Sequence, residues 1–171
     1  QEAVRLCQIL EDERKELGLF FNQEKTRILP PASPFDLLGF RLEKGEYDIS
    51  EVSMEKIEWK LKHYAKKLVR RQQKGRISAS GAAQLMIYRI NAYFFGMHRY
   101  DHELNWVDWA FSVLTRPDSL RRLDTCAQEC IRYVGSGGKK TNAKYRVRYN
   151  HMRKMGYKTL VHAYYHGYER K

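Results

Sequence analysis

The segment 54–74 constrains this chain more than any other part of it. Ile57, Leu61, Tyr64, Ala65 and Leu68 stand at i, i+4, i+7, i+8 and i+11, the spacing that lines up one face of an α-helix. The opposite face holds Lys60, Lys62, Lys66, Lys67, Arg70 and Arg71. Such a helix must bury its apolar stripe against other elements and offer a dense row of cations to water or to a polyanion. Ser53 is the expected N-cap before Met54, and Gly75 the expected stop.

The charge of the whole chain sharpens that reading. Residues 1–52 carry 7 Lys/Arg and 11 Asp/Glu, while residues 53–171 carry 25 and 9, so an acidic front precedes a strongly basic body within a net charge of +12. A body of this kind suits a polyanion, because each phosphate that is neutralised releases counterions. A basic surface kept for solubility is the plainer alternative. Hydrophobic residues form 43% of the chain, which argues against compositional disorder. No run approaches the ~18 apolar residues of a membrane span, and the first residues do not form a signal peptide. The start without Met, in mid-helix, leads to the expectation of a piece of a longer protein. Three cysteines, Cys7, Cys126 and Cys130, fit a reducing cytoplasm better than a disulfide scaffold. Cys126 and Cys130 share a helix face and read as packed thiols, since further metal ligands are missing nearby.

The pattern along the chain predicts an α+β fold in three parts: 1–52, 53–134 and 135–171. In the first, Ala3, Leu6, Cys7, Leu10 and Leu17 mark a helix that stops at Gly18. Residues 19–21 read as extended, 22–24 as a turn and 25–29 as a strand. Pro30, Pro31 and Pro34 mark a loop. Residues 35–42 read as a strand with a bulge or close backbone approach at Gly39, turning at Gly45 into a return strand over 47–49. Helices follow: the basic one, a second capped by Ser78 or Ser80 and ending at Gly96, a third over 103–114 and a fourth over 119–133. A flexible basic loop spans 135–142, and short helices are expected at 149–155 and 159–165.

Two segments of the front part carry more than fold. Residues 18–26 read Gly-Leu-Phe-Phe-Asn-Gln-Glu-Lys-Thr, and residues 35–42 read Phe-Asp-Leu-Leu-Gly-Phe-Arg-Leu. Taken alone they are a polar turn after an apolar run, and a hairpin. In this order and spacing they resemble bacterial reverse transcriptases of the group II intron and retron kind. There a helix leads from the catalytic YxDD strand into a "GL…N…KT" segment and then an "F.FLGF" hairpin. Gly18, Leu19, Asn22, Lys25 and Thr26 match the first, and Phe35, Leu38, Gly39 and Phe40 the second. The 90–96 segment, Ile-Asn-Ala-Tyr-Phe-Phe-Gly, is similar to the "LN.Y..G" helix of such thumbs. The resemblance covers about the first 135 residues.

It implies a palm remnant (small N-terminal helix plus β-hairpin) followed by a mainly α-helical thumb and a C-terminal extension. It implies that Lys25 is catalytic, donating a proton to the leaving pyrophosphate where negative charge grows. It implies that Leu38, Gly39 and Phe40 form the primer grip. The partners it implies are an RNA template, an RNA–DNA hybrid and the missing fingers–palm half. The cofactor is Mg2+ in the full-length enzyme, with ligands outside this chain. The fingers, the first metal-binding Asp and the YxDD pair are absent, and Glu11, Asp12 and Glu13 diverge around a helix and cannot share an ion. The fragment alone is therefore expected not to polymerise. A stand-alone, maturase-like RNA-binding module is the second reading, and a domain whose charge is incidental the third.

The last part interleaves Lys139, Lys140, Lys144, Arg146, Arg148, Arg153, Lys154 and Lys158 with Tyr145, Tyr149, Tyr157, Tyr164 and Tyr165. Rings stack on bases while cations follow phosphates. Tyrosines at helical spacing also pack the edge of a core with wet hydroxyls, and both readings stay open. The pairs His98/His102 and His162/His166 have zinc-like spacing but lack a HExxH glutamate, so packing or a polar edge is expected there. Trp106 and Trp109 are expected to anchor the helical core.

Overall fold

Ser50, three residues ahead of the expected Ser53, starts the long helix. Its Oγ accepts the Ser53 N–H at 3.3 Å, which supplies one of the donors a helix start leaves open. The structure is a computed structural model that describes residues 2–22, 26–30, 33–96, 105–139 and 141–168, the side chains of Glu16 and Lys144 excepted. The chain divides into two units, Gln1–Pro34 and Phe35–Lys171.

In the first unit, α1 (Glu2–Glu16) is the helix expected from the front stripe. Its close is made by the N–H groups of Leu17 and Leu19, both bonded to Arg14 O at 3.1 Å. Leu6, Leu10 and Leu17 are exposed. Among the described residues, 19–22 and 26–30 form no strand, which corrects the strand expected over 25–29. Instead Thr26 N–H donates to Asn22 O at 2.9 Å, a local turn, and the prolines that follow supply no N–H for a ladder.

The second unit opens with β1 (Phe35–Leu37), β2 (Phe40–Glu43) and β3 (Glu46–Ile49), an antiparallel sheet in the order β1-β2-β3. Leu37 pairs with Phe40 and Glu43 with Glu46, leaving two-residue turns at Leu38–Gly39 and Lys44–Gly45. All four turn residues have positive φ: 50°, 89°, 53° and 81° in chain order. That matches the type I′ turn, whose twist suits a hairpin. The single bulged strand expected over 35–42 is thus two strands, with Gly39 closing the turn between them. Only a glycine fits there, since a Cβ at Gly39 would lie 2.9 Å from Ser53 Oγ.

Helices make up the rest: α2 (Glu51–Gln73), α3 (Ala79–Phe95), α4 (Trp106–Phe111), α5 (Asp118–Gly135), α6 (Ala143–Arg146), α7 (Tyr149–Lys154) and α8 (Leu160–His166). The expected stripe is the buried face of α2, with Ile57, Leu61, Ala65 and Leu68 inside and Tyr64 packed against them. It meets Met86, Ile87 and Ile90 of α3 and Leu123, Ala127 and Ile131 of α5, all fully or nearly fully buried. Each buried Leu, Ile or Met side chain contributes about 1.5–3 kcal/mol of transfer free energy. Ser78 caps α3 by accepting Gly81 N–H at 3.0 Å, and Gly96 ends it. The third helix is shorter than expected: its described turns end at Phe111, and Val113 and Leu114 close them by bonding Ala110 O.

The sheet is pinned to this body. Phe40 is buried against Trp109 with ring centroids 4.4 Å apart. Tyr47 and Thr115 exchange two bonds, Tyr47 N–H to Thr115 Oγ1 at 2.9 Å and Thr115 N–H to Tyr47 O at 3.1 Å. The C-terminal segment is equally fastened. Asn91 donates to Gly156 O at 2.8 Å and accepts Lys158 N–H at 3.3 Å. Buried Asp124 accepts the N–H groups of Leu160 and Val161, at 2.9 and 3.0 Å, and the Tyr157 hydroxyl at 3.1 Å. Its carboxylate therefore caps α8 from a neighbouring helix.

Candidate nucleic-acid interface

With its apolar face fixed in the core, α2 has no freedom to turn its cations elsewhere. Lys60, Lys62, Lys66, Lys67, Arg70 and Arg71 are all exposed, as the opposite-face pattern predicts. Exposed Lys56 and Lys74 extend the row at both ends, two residues the stripe argument left out. At 23 residues, α2 is about 35 Å long, close to one helical turn of a duplex at ~34–36 Å.

Two carboxylates meet this face: exposed Glu55 stands on it without an ion pair among the described residues, and Glu58 lies at its edge. Glu58 accepts Lys62 Nζ at 2.7 Å and Arg122 Nε at 2.6 Å, and Arg122 continues to Glu51 at 2.8 Å. The Lys62 bond holds the Glu58 carboxyl below its ordinary range despite burial, with Arg122 assisting. The same bond holds the Lys62 ammonium above its ordinary value. Lys62 is thereby partly spent on the fold. Among the described residues, Lys60, Lys66, Lys67, Arg70 and Arg71 make no ion pair. Lys60 Nζ lies 5.5 Å from the Tyr93 ring centroid, a weak cation–π contact.

The basic loop docks on the far end of α2. Its glycines permit close packing: a Cβ at Gly138 would meet Val69 Cγ1 at 2.8 Å, and one at Gly135 would meet Val147 Cγ2 at 2.6 Å. Gln72 Nε2 donates to Val134 O at 2.9 Å, and Gly138 N–H to Tyr133 O at 2.9 Å. The segment expected to be a flexible loop is thus, over 135–139, an extension of the packed body. Lys139 is exposed beside this contact, and Arg146 and Arg148 are exposed further on. Lys140 lies outside the described residues; Lys144 is in α6, its side chain not described. A cleft of about 680 Å³ is lined by Lys62 and Lys66 of α2, Glu129, Cys130, Arg132 and Tyr133 of α5, and Ala143 of α6. Arg132 Nε is buried there without a hydrogen-bond partner among the described residues. The α2 cations and the start of the C-terminal part therefore border one concavity.

At the other end, the Leu38–Gly39 turn rests on the first turn of α2. Ser50 N–H donates to Gly39 O at 2.9 Å, and the Trp109 ring edge lies 3.8 Å from the Gly39 Cβ position. Leu38 is 80% exposed, while Phe40 is buried. Of the three residues to which the resemblance gives primer positioning, one projects to solvent, one shapes the turn and one anchors it. Lys25 lies outside the described residues.

The tyrosines divide. Tyr157 is buried on Asp124, Tyr164 donates to Leu114 O at 3.0 Å, and Tyr168 is hydrogen-bonded to Asp108. Tyr145, Tyr149 and Tyr165 are exposed. Burial raises the Tyr157 hydroxyl's pKa above its ordinary value, and the Asp124 carboxylate adds to the effect. His162 and His166 lie ring to ring at 4.6 Å, and His98 and His102 lie outside the described residues. Among the described residues no three His, Cys, Asp or Glu side chains converge on a possible metal position. Cys126 and Cys130 are buried free thiols. No helix of the described residues is long and apolar enough to cross a membrane.

One exposed residue was passed over in the sequence pattern although its signal was present. Trp59, His63, Lys66 and Arg70 stand at i, i+4, i+7 and i+11, a second stripe parallel to the buried one and entirely at the surface. No family model, no curated protein and no solved structure matches the chain.

Proposed function

We propose that this chain is the rear part of an RNA-directed DNA polymerase of the bacterial reverse-transcriptase kind, and that its own task is to grip a primer–template duplex. The carrying observation is the α2 surface: exposed cations, all but Lys62 unpaired by carboxylates among the described residues, on one side of a helix whose other side is locked in the core. A polyanion laid along it exchanges condensed counterions for fixed charges. The sheet supports the same reading, because β3 runs into α2 through Ser50 and brings the Leu38–Gly39 turn to the start of the cationic row. In this proposal the phosphate backbone follows α2, the strand terminus rests by Leu38, Gly39 and Phe40, and Lys25 serves the leaving pyrophosphate. The metal ions belong to the fingers–palm half, and no step here runs through one held by this chain.

Titration with duplex RNA and RNA–DNA hybrid over a range of salt tests the grip. Replacing Lys66, Lys67 and Arg70 by Ala should lower the slope of log K against log salt by about 2.7 and the affinity at moderate salt on the order of 100-fold. Affinity that is absent, or indifferent to salt, removes the proposal. Supplying a fingers–palm half in trans separates the polymerase from a stand-alone RNA-binding module. The polymerase recovers DNA synthesis that falls with Lys25→Ala; the module binds RNA and restores nothing.

A further inference from the structure

Trp59 is 64% exposed at the centre of the cationic side of α2. Four helical neighbours, Glu55, Lys56, Lys62 and His63, are within one turn, three of them basic residues and one a carboxylate, and Lys66 is one turn further. A tryptophan held out among cations contributes nothing to the core, and its apolar surface is costly to leave in water. Nor is it loose. His63 stacks on it with centroids 4.8 Å apart and an interplanar angle of 21°, which fixes the indole while most of its surface stays open. A ring restrained in this way loses little freedom when a ligand stacks on it.

The chemistry around it selects the ligand. An apolar protein partner would bury Lys56, Lys60, Lys66 and Lys67 at a desolvation cost. A nucleic-acid strand satisfies both features at once, with phosphates on the ammonium groups and a base on the ring. Bases paired inside a duplex have no free face, so the base must be unpaired or at a duplex end. From Trp59 to Arg70 the row covers about 16 Å of helix, enough for roughly five nucleotides at ~3.4 Å each along a strand.

We infer that Trp59, braced by His63, is a stacking platform for an unpaired nucleobase at the edge of the bound duplex, with Lys66 and Arg70 following the phosphates of the same strand. The inference rests on the duplex-gripping function proposed above. It adds a residue that reads base faces, where the lysines read only charge.

The test compares a blunt RNA–DNA duplex, the same duplex with a five-nucleotide single-stranded overhang, and one whose overhang is abasic. The intact chain should bind the overhang duplex about 10-fold more tightly than the blunt one. Trp59→Ala should remove that preference and leave the salt slope unchanged. Trp59→Phe should keep most of the preference, and the abasic overhang should reproduce the Trp59→Ala loss with the unaltered protein. Far-UV circular dichroism checks that the variants stay folded, as an exposed position requires. Equal affinity of Trp59→Ala and the unaltered chain for the overhang duplex overturns the platform while salt-dependent duplex binding leaves the grip standing. If no duplex binds at all, both fall.

Discussion

Helix α2 and the C-terminal part from 135 onward are both rich in Lys and Arg and both carry aromatic residues among them, yet the fold uses them in opposite ways. On α2 the cations fall on one side because one uninterrupted helix repeats the same face for 23 residues. Its tryptophan stays outside. Beyond Gly135 the chain turns through α6, α7 and α8, of 4, 6 and 7 residues. No shared face lasts beyond two turns, so the cations scatter and several tyrosines turn inward as fasteners. A basic, aromatic composition thus becomes a binding surface only where the backbone keeps one direction long enough to align it.

The largest expected effect concerns that fastening. Asp124 holds two N–H groups of α8 and the Tyr157 hydroxyl. Burial pushes its carboxyl above the ordinary range, while the Val161 and Leu160 N–H groups and the Tyr157 hydroxyl pull it back. Asp124→Ala leaves these buried donors without an acceptor and should cost about 3 kcal/mol of stability, read from the urea unfolding midpoint. Asp124→Asn keeps one acceptor oxygen and should recover part of the loss. A change below about 0.5 kcal/mol, the scale of an ordinary surface substitution, would mean that the C-terminal part is not fastened, and the contrast with α2 would lose its basis.

What could be read from the sequence follows the same division. The buried stripe of α2, the exposed cations opposite it, the stop at Gly96 and the short helices α7 and α8 are legible, because each depends on spacing within a few turns; the choice between Ser78 and Ser80 as the cap of α3, and the existence of α6, are not. The helix-capping role of Asp124 was not: its partners Leu160 and Val161 lie more than thirty positions away, and no local pattern marks such a bond. The turn at Leu38–Gly39 was misread as a bulge because an apolar residue at positive φ is uncommon, and Leu38 masks an otherwise familiar two-residue hairpin signal. Residues 25–29 read as a strand, yet 26–30 have no pairing partner among the described residues to make them one. At the candidate site six cations of the row follow from the pattern, while Lys56, Lys74 and Trp59 do not, because a residue that stands off the apolar stripe is not marked by its spacing.

A milder effect is expected from the exposed cations of the end part. Arg146 and Arg148 face solvent on α6 and its exit, without the alignment that α2 gives its own. Replacing both by Ala should weaken duplex binding roughly threefold and lower the salt slope by less than about 1. The triple replacement on α2 should lower it several times more. Equal slopes for the two variants would extend the interface over the C-terminal part and erase the distinction between the regions.

The smallest effect falls at the edge where fold and surface compete for Lys62. Because Glu58 titrates below its ordinary value in the folded chain, its contribution to stability is fully present above the unfolded carboxyl range. It is lost as pH falls through the lower folded value. Glu58→Gln should therefore be less stable than the unaltered chain by about 0.5 kcal/mol at neutral pH, the scale of ion pairs whose cations stay open to solvent, as Lys62 and Arg122 do. That gap should close as the pH drops below about 4.5. The same change releases Lys62 and adds one net positive charge to the α2 face, so duplex affinity should rise two- to threefold with a steeper salt slope. Lower stability with tighter binding is the signature of a residue that restrains the surface for the sake of the fold. If both quantities fell together, Glu58 would instead be holding Lys62 in position for the duplex, and the paired lysine would belong to the grip as much as the free ones.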